Sequence, residues 1–241
     1  MRVLITRPEP DASLSAERLR ALGYEVLVAP MLKTVFSTEP LDDVQKADLV
    51  VTSRNGVRAL ADLASDAMRE ERTLYTVGDA TAELARDVGF KNIRSAAGSV
   101  DQLVELIGSA IDEDCNQLTY ICGRERKGQL EDKLRMNGLK VDVAVRYHAD
   151  GVDHLPTDIQ NAIRDQKIDA VLFYSNRTAE VFKAVIERIE LSQLTNFISY
   201  FCLAKSIQSV FDRDEGMQLY VAELPNEQSL FAALAFHQGD E

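Results

Sequence analysis

The sequence repeats itself with a period near half its length, and this feature constrains the fold more than any other. "VLITRPEPDASLSAERLRALGYEVLVA" (3–29) resembles "TYICGRERKGQLEDKLRMNGLKVDVAV" (119–145), with a small gap in register. "DLVVTSRNGVRAL" (48–60) resembles "AVLFYSNRTAEVF" (170–182). "LYTVGDATAELA" (74–85) and "GSVDQLVELI" (98–107) have counterparts in "YFCLAKSIQSVF" (200–211) and "PNEQSLFAAL" (225–234). The order is a-b-c-d, then a′-b′-c′-d′. Gly23 matches Gly138, and Ser53 matches Ser175. The period is too long for a solenoid, so the chain reads as two copies of one unit.

Each unit alternates short apolar runs with amphipathic stretches. The runs predict strands over 2–6, 25–29, 48–52, 73–77, 118–122, 140–146, 169–174, 198–202 and 218–222, with a weaker one at 92–95. Helical patterns cover 12–22, 55–67, 80–88, 99–111, 127–137, 157–166, 177–189, 205–212 and 226–236. In the first of these, Leu14, Leu19 and Leu22 fall near helical spacing. Gly23 and Gly138 each follow a helix and suit a left-handed C′ position. Strand-helix alternation predicts an α/β fold with parallel sheets.

Bulk properties narrow the partners. A net charge of −12 argues against general nucleic-acid binding and against an anionic membrane surface, because both need basic patches. A local basic pocket remains compatible with that total. Cys115, Cys122 and Cys202 form a sparse set without CxxC, which points away from a disulfide scaffold and toward a reducing compartment. No apolar run approaches the roughly 18 residues of a membrane span. The expectation is a cytoplasmic protein.

In parallel α/β sheets, ligands bind beyond the C-terminal strand ends. The corners there are Thr6-Arg7-Pro8, Thr52-Ser53-Arg54-Asn55, Val77-Gly78-Asp79-Ala80-Thr81, Cys122-Gly123-Arg124, Tyr174-Ser175-Asn176-Arg177 and Leu203-Ala204-Lys205-Ser206. Each is expected to lead into a helix N-terminus, whose free N–H groups favour anions. Ser, Thr, Asp and Asn are also ordinary helix caps. What sets these corners apart is basic residues beside the caps: Arg7, Arg54, Arg124, Arg126, Lys127, Arg177 and Lys205. Other signatures are missing. No GxGxxG follows a strand, and "GRERKGQL" (123–130) lacks the lysine and hydroxyl of a phosphate loop. There is no GxSxG. His148, His154 and His237 lack metal-ligand spacing. Cys122 and Cys202 lie in apolar runs and read as buried small hydrophobes.

"VTSRNGVRAL", "VGDATAEL", "ICGRERKGQLEDKLRMNGLKVDVAVRY" and "LFYSNRTAEVF", in this order after "VLITRP", resemble the uroporphyrinogen-III synthase family over nearly the whole chain. The resemblance implies two flavodoxin-like domains joined by a two-stranded linker, with a ligand cleft between them. Residues 1–35 and 149–241 would form one domain and 38–146 the other, with links near 34–38 and 145–150. It implies a cofactor-free hydro-lyase that cyclises linear hydroxymethylbilane and inverts its last ring, and because the two domains look complete without a partner the expectation is a monomer. It leaves open direct transfer from hydroxymethylbilane synthase. By the same resemblance, Tyr147 and Thr81 are the catalytic candidates. Arg7, Ser53, Arg54, Gly78, Gly123, Arg124, Ser175, Asn176 and Ser206 would hold substrate carboxylates. The chain departs from the family where a second Gly-Pro-Thr-Thr corner is usual. Here it reads Ala204-Lys205-Ser206-Ile207, and Ala204 lacks glycine's freedom at positive φ. A non-catalytic tetrapyrrole or polyanion binder is the alternative reading. A phospho-sugar or nucleotide enzyme is a third, against which the missing phosphate-loop residues count.

Overall fold

The computed structural model describes residues 1–41, 47–110, 116–126, 129–211 and 216–239. Cys115 and Lys127 lie outside the described residues. The chain divides into two compact units, Met1–Thr34 with Ala149–Glu241, and Val35–His148.

The first unit carries a five-stranded sheet. Its strands are β1 (Arg2–Ile5), β2 (Glu25–Val28), β9 (Ala170–Phe173), β10 (Ser199–Cys202) and β11 (Gln218–Val221), in the order β11-β10-β9-β1-β2. All its pairs are parallel. The second unit has a six-stranded sheet ordered β3-β8-β7-β4-β5-β6. These are β3 (Leu32–Phe36), β4 (Asp48–Val51), β5 (Thr73–Thr76), β6 (Asn92–Ser95), β7 (Gln117–Gly123) and β8 (Lys140–Gly151). The chain passes from unit to unit twice, within β3 and within β8, which are neighbours in that sheet.

Taken in chain order within the first unit, the strands run 2-1-3-4-5, the flavodoxin-like order. The second sheet shows the same order when β7 counts as strand one and β8 as strand two. Each unit therefore takes its leading β-α-β segment from the other half of the sequence. The leading segments are β1-α1-β2, with α1 spanning Asp11–Ala21, and β7-α6-β8, with α6 spanning Leu130–Met136. The sequence repeat is thus a structural repeat with its first segments exchanged.

Buried parallel strands need apolar residues on both faces, and the short runs supply them. In the first sheet, Leu4, Val171, Phe173 and Tyr200 face α7 (Thr157–Arg164) and α8 (Asn176–Arg188). Val3, Ile5, Leu172 and Phe201 face α1 and α10 (Glu227–Gly239). In the second, Leu49, Val51 and Ile121 pack under α2 (Arg54–Leu63) and α4 (Asp79–Asp87). Val50, Tyr120 and Cys122 pack under α5 (Val100–Ala110) and α6. Gly56 in the first turn of α2 is required by close approach. A Cβ there would stand 3.0 Å from Val51 Cγ1 and 3.3 Å from the Ile121 carbonyl.

Several expectations need correction. In α1 the buried stripe is Ala12, Ser15, Ala16 and Leu19, while Leu14 and Leu22 face outward. Small residues let that helix sit close to its sheet. The pattern read as one helix over 55–67 breaks after Leu63, and α3 (Asp66–Glu71) starts anew with Ser65 as its cap. α9 (Lys205–Gln208) is a single turn. A 3₁₀ segment, Ser192–Phe197, precedes β10. Gly23 and Gly138 do take left-handed backbone, at φ 90° and 83°. Among the described residues no helix is long and apolar enough to cross a membrane.

Candidate functional site

The strand order reverses beside β7 and β4 in the second unit, and a crevice opens at such a switch point. Three strand ends meet there. β4 runs into Thr52 and Ser53. β7 ends at Gly123. β8 passes Tyr147. Ser53 caps α2 by accepting from the Gly56 N–H at 3.3 Å. Its hydroxyl also shares a 2.8 Å hydrogen bond with the Tyr147 hydroxyl. Alongside, Thr52 and Tyr120 share a hydroxyl pair at 3.1 Å.

Tyr147 arrives by an irregularity. Along β7 and β8, Ile121 pairs with Ala144 and Cys122 with Val145, but Gly123 pairs with Tyr147. Arg146 is one residue too many. Since strand side chains alternate between faces, that extra residue turns Tyr147 onto the face of Ile121 and α2, where Ser53 stands. Bulges re-aim side chains in this way. The ring then lies over Gly123, and Phe36 flanks it at 6.2 Å between centroids. Burial pushes the Tyr147 phenol upward from its usual range, while hydrogen bonds with Ser53 and the Gly123 backbone partly offset it. The group is a protonated donor at neutral pH.

Other residues named from sequence scatter around this centre. Arg54 is half-buried in the first turn of α2. Arg124 is exposed, and its backbone N–H donates to the Tyr147 carbonyl at 2.9 Å. Its corner does not enter a helix directly, because α6 begins only at Leu130. Gly78 caps α4 and Thr81, three residues on, is buried at 8% exposure.

The first unit's corner is knitted into itself. Ser175 caps α8 from the Thr178 N–H at 3.2 Å and pairs with the Thr178 hydroxyl at 2.7 Å. The Asn176 amide donates to the Ser206 carbonyl at 2.7 Å and accepts from the Ser206 hydroxyl at 3.1 Å. Arg7 bonds Ser15 at 3.0 Å, Glu227 at 2.9 Å and Asp11 at 3.1 Å, and stacks on Tyr174 at 4.2 Å. Arg18 and Ser15 also bond Glu227. Burial pushes the Glu227 carboxyl up, but hydrogen bonds from Ser15 and Arg18 and the charges of Arg7 and Arg18 outweigh it, and the net shift is downward.

The altered corner behaves differently from expectation. Ala204 takes φ −151° and Gly78 takes φ −139°, both extended backbone open to any residue. Positive φ is not needed there, so glycine's freedom is not what the substitution removes. Ile207 is buried at 2% exposure in the first unit's core. Among the described residues no three His, Cys, Asp or Glu side chains group to hold a metal.

The sequence model of the family described as uroporphyrinogen-III synthase HemD matches residues 13–232. The chain belongs to that family. Among curated relatives, the porphyrin biosynthesis protein HemD of Ruminiclostridium josui is 24% identical over 220 residues, covering 80% of this chain and 41% of that protein. The uroporphyrinogen-III synthase of Saccharomyces cerevisiae is 26% identical over 153 residues, covering 53% of this chain and 55% of the yeast enzyme. The matched stretches thus span about half the length of these relatives. Among solved structures, the Helicobacter pylori uroporphyrinogen-III synthetase superposes with a TM-score of 0.66 at 19% identity, covering 99% of this chain and all of that one. A mutant Thermus thermophilus uroporphyrinogen III synthase gives 0.51 at 17% identity, with full coverage of both. These likenesses establish the two-domain α/β fold of the family.

The sequence alone did not reveal the Tyr147–Ser53 pair, the seat at Gly123, or the roles of Tyr174, Ser15 and Glu227 around Arg7. The first two depend on a register shift. The last joins residues far apart in the chain. Only the Glu227 position, acidic in a helix's first turn, left any trace.

Proposed function

We propose that this protein closes hydroxymethylbilane to uroporphyrinogen III with loss of water and inversion of the last ring. One observation carries the reading: in a member of this family, a half-buried tyrosine stands at a sheet's switch point, hydrogen-bonded to a helix cap. Tyr147 acts as general acid. Its proton goes to the leaving hydroxyl, the C–O bond breaks with its electron pair on oxygen, and water departs, leaving a protonated azafulvene; the proton that the attacking ring loses on closure returns to the Tyr147 phenolate. The last ring then attacks through its substituted carbon to give a spiro intermediate, which rearranges to the inverted ring. General acid assistance of this kind contributes roughly 10²–10⁴-fold.

Orientation supplies much of the rest. The azafulvene closes without inversion when free in water, so the enzyme must fold the chain and exclude the simpler closure. Within the second unit, the N-termini of α2 and α4 at Ser53 and Gly78 present N–H groups suited to the substrate's acetate and propionate carboxylates. Thr81 is assigned a supporting hydroxyl, and Arg54 and Arg124 add positive charge. No cofactor is invoked. The proposed setting is a cytoplasmic monomer, with division into domains at the links within β3 and β8. Burial pushes the Cys202 thiol up to about 12 and raises that of Cys122, which leaves both inert.

The test generates hydroxymethylbilane in situ, adds the protein, oxidises, and separates the uroporphyrin isomers. Dominant type III product supports the cyclase. Type I alone, at the spontaneous rate, overturns it. A non-catalytic binding role is the second reading, favoured by the mutual bonding of Asn176 and Ser206 and by the burial of Ile207. Tetrapyrrole binding without turnover would establish that role instead.

A further inference from the structure

The geometry points to Ser53 and Gly123 as positioning residues that together aim the Tyr147 hydroxyl, and not as groups that grip substrate. The inference deepens the cyclase reading and takes its kinetic meaning from it, but its substance lies in contacts within one unit.

Gly123 is a seat for the ring. A Cβ built on it would fall 2.6 Å from Tyr147 Cε2, 3.0 Å from Cζ and 3.1 Å from Cδ2. Carbon atoms in contact prefer about 3.5–4.0 Å, so a side chain at 123 forces the ring to shift. The extra residue Arg146 delivers Tyr147 to this seat, and the Arg146 carbonyl is held by the Ser37 N–H at 2.9 Å. The glycine that sequence reasoning assigned to backbone contact with a carboxylate is covered by an aromatic ring.

Ser53 fixes the proton. A serine hydroxyl has one donor and two acceptor sites. One acceptor site takes the Gly56 N–H. Either hydroxyl can donate across the 2.8 Å contact, and in the proposed arrangement the Ser53 hydrogen points to the Tyr147 oxygen. With its oxygen accepting from Ser53, Tyr147 keeps its own hydrogen for a different partner, as a general acid requires. When that hydrogen leaves, the phenolate already has a donor. The N-terminus of the ten-residue helix α2 lies behind Ser53 and favours negative charge on this side. If Tyr147 instead donates to the remaining acceptor site of Ser53, its hydrogen is spent internally and the pair is structural.

A double-mutant cycle decides between these arrangements. Gly123→Ala and Ser53→Ala are made in the native protein and in Tyr147→Phe, with kcat, KM and the type III to type I ratio measured for each. The expected result is a fall in kcat of roughly tenfold or more for each in the native background, with KM little changed. In Tyr147→Phe, neither substitution should cost more than about twofold further, because both act through the missing hydroxyl. Ser53→Thr, which keeps cap and donor, should restore activity. Equal losses in both backgrounds, with KM raised, would mean that Ser53 and Gly123 hold substrate, and would overturn the proposal.

A second readout needs no turnover. Spectrophotometric titration, with Tyr147→Phe and the Ser53→Ala/Tyr147→Phe double variant as blanks, isolates the Tyr147 phenol in the native protein and in Ser53→Ala. An upward shift in Ser53→Ala supports donation by Ser53, whereas no shift or a downward one defeats it. If Gly123→Ala does not fold, the Ser53 cycle and this titration settle the question. A protein that makes no type III product would refute the cyclase reading while the titration still judged the hydrogen bond.

Discussion

At the switch point of the second unit, Ser53 and Tyr147 form a hydroxyl pair over a glycine seat. At the matching place in the first unit, Ser175 turns to its own helix, Asn176 and Ser206 bind each other, and Arg7 is surrounded by Asp11, Ser15, Tyr174 and Glu227. The two sheets share one strand order and their Ser caps align in sequence. Their side chains nevertheless do different work. One corner pairs two hydroxyls, and it is there that we propose proton transfer. The other ties its polar groups to one another. The two units keep one strand order while their corners carry different contacts.

The largest expected effect breaks this comparison most directly. Tyr147→Phe should lower the rate of type III formation by about 10²-fold, the lower end of general acid assistance. Tyr174→Phe, the tyrosine of the other corner, should stay within a few-fold of the native rate. Its phenol is pushed well up, by burial first, and it donates to Glu227 at 3.2 Å. Equal losses for the two tyrosines would erase the proposed division between corners. Complete loss in Tyr147→Phe with binding intact would show that orientation contributes little.

Ile207→Thr comes next. It restores the hydroxyl that the family resemblance places in this corner, yet Ile207 is a core residue. Burying an unpaired hydroxyl should cost roughly 1–3 kcal/mol, read by denaturant unfolding, with no gain in rate. A faster enzyme would show that the first unit's corner had lost a working group.

Glu227→Gln probes the ion network of the first unit alone. The carboxylate accepts from Arg7, Arg18, Ser15 and Tyr174. Charge-assisted bonds of this sort contribute about 1.5–3 kcal/mol each before screening, and partial exposure of the partners reduces the net to about 1–2 kcal/mol. The carboxyl is depressed when folded. Its contribution is therefore present above the unfolded value near 4.3 and is lost as pH falls through the folded value. Native protein should exceed Glu227→Gln in stability at pH 7, and the gap should close on acidification below about pH 4. A gap that persists in acid would assign the effect to packing.

How far the sequence spoke follows from the range of each signal. Strand and helix alternation is local, so β1, β2 and β4 to β11 were legible in the sequence, as were the caps at Ser53 and Ser175. β3 was not. "LKTVF" follows Pro30 and carries a Lys and a Thr, so it reads as a link, and only its place beside β8 makes it a strand. The exchange of leading segments was available only through the family resemblance. The bulge at Arg146 left no local mark, because "VAVRYHA" alternates plausibly without it. By simple alternation from Ala144, Tyr147 falls on the wrong face. Ser53 and Tyr147 were both singled out in the sequence, but that they touch was hidden in one register shift.

The smallest effects separate cap from chemistry. Ser53→Ala and Ser175→Ala each remove a side-chain oxygen that accepts from the first turn of a helix. Each should cost about 1 kcal/mol of stability, the usual value of such a cap. On stability alone the two serines are indistinguishable, as their matched places in the repeat require. On rate they should part. Ser175 pairs with Thr178, a residue of its own helix, so its loss reaches no reacting group. Ser53 holds the oxygen of Tyr147, so its loss should slow the reaction while Ser175→Ala leaves the rate nearly native. If the rates fall together, the hydroxyl pair in the second unit is only another cap contact. The asymmetry between the corners would then have to lie in their backbone N–H groups.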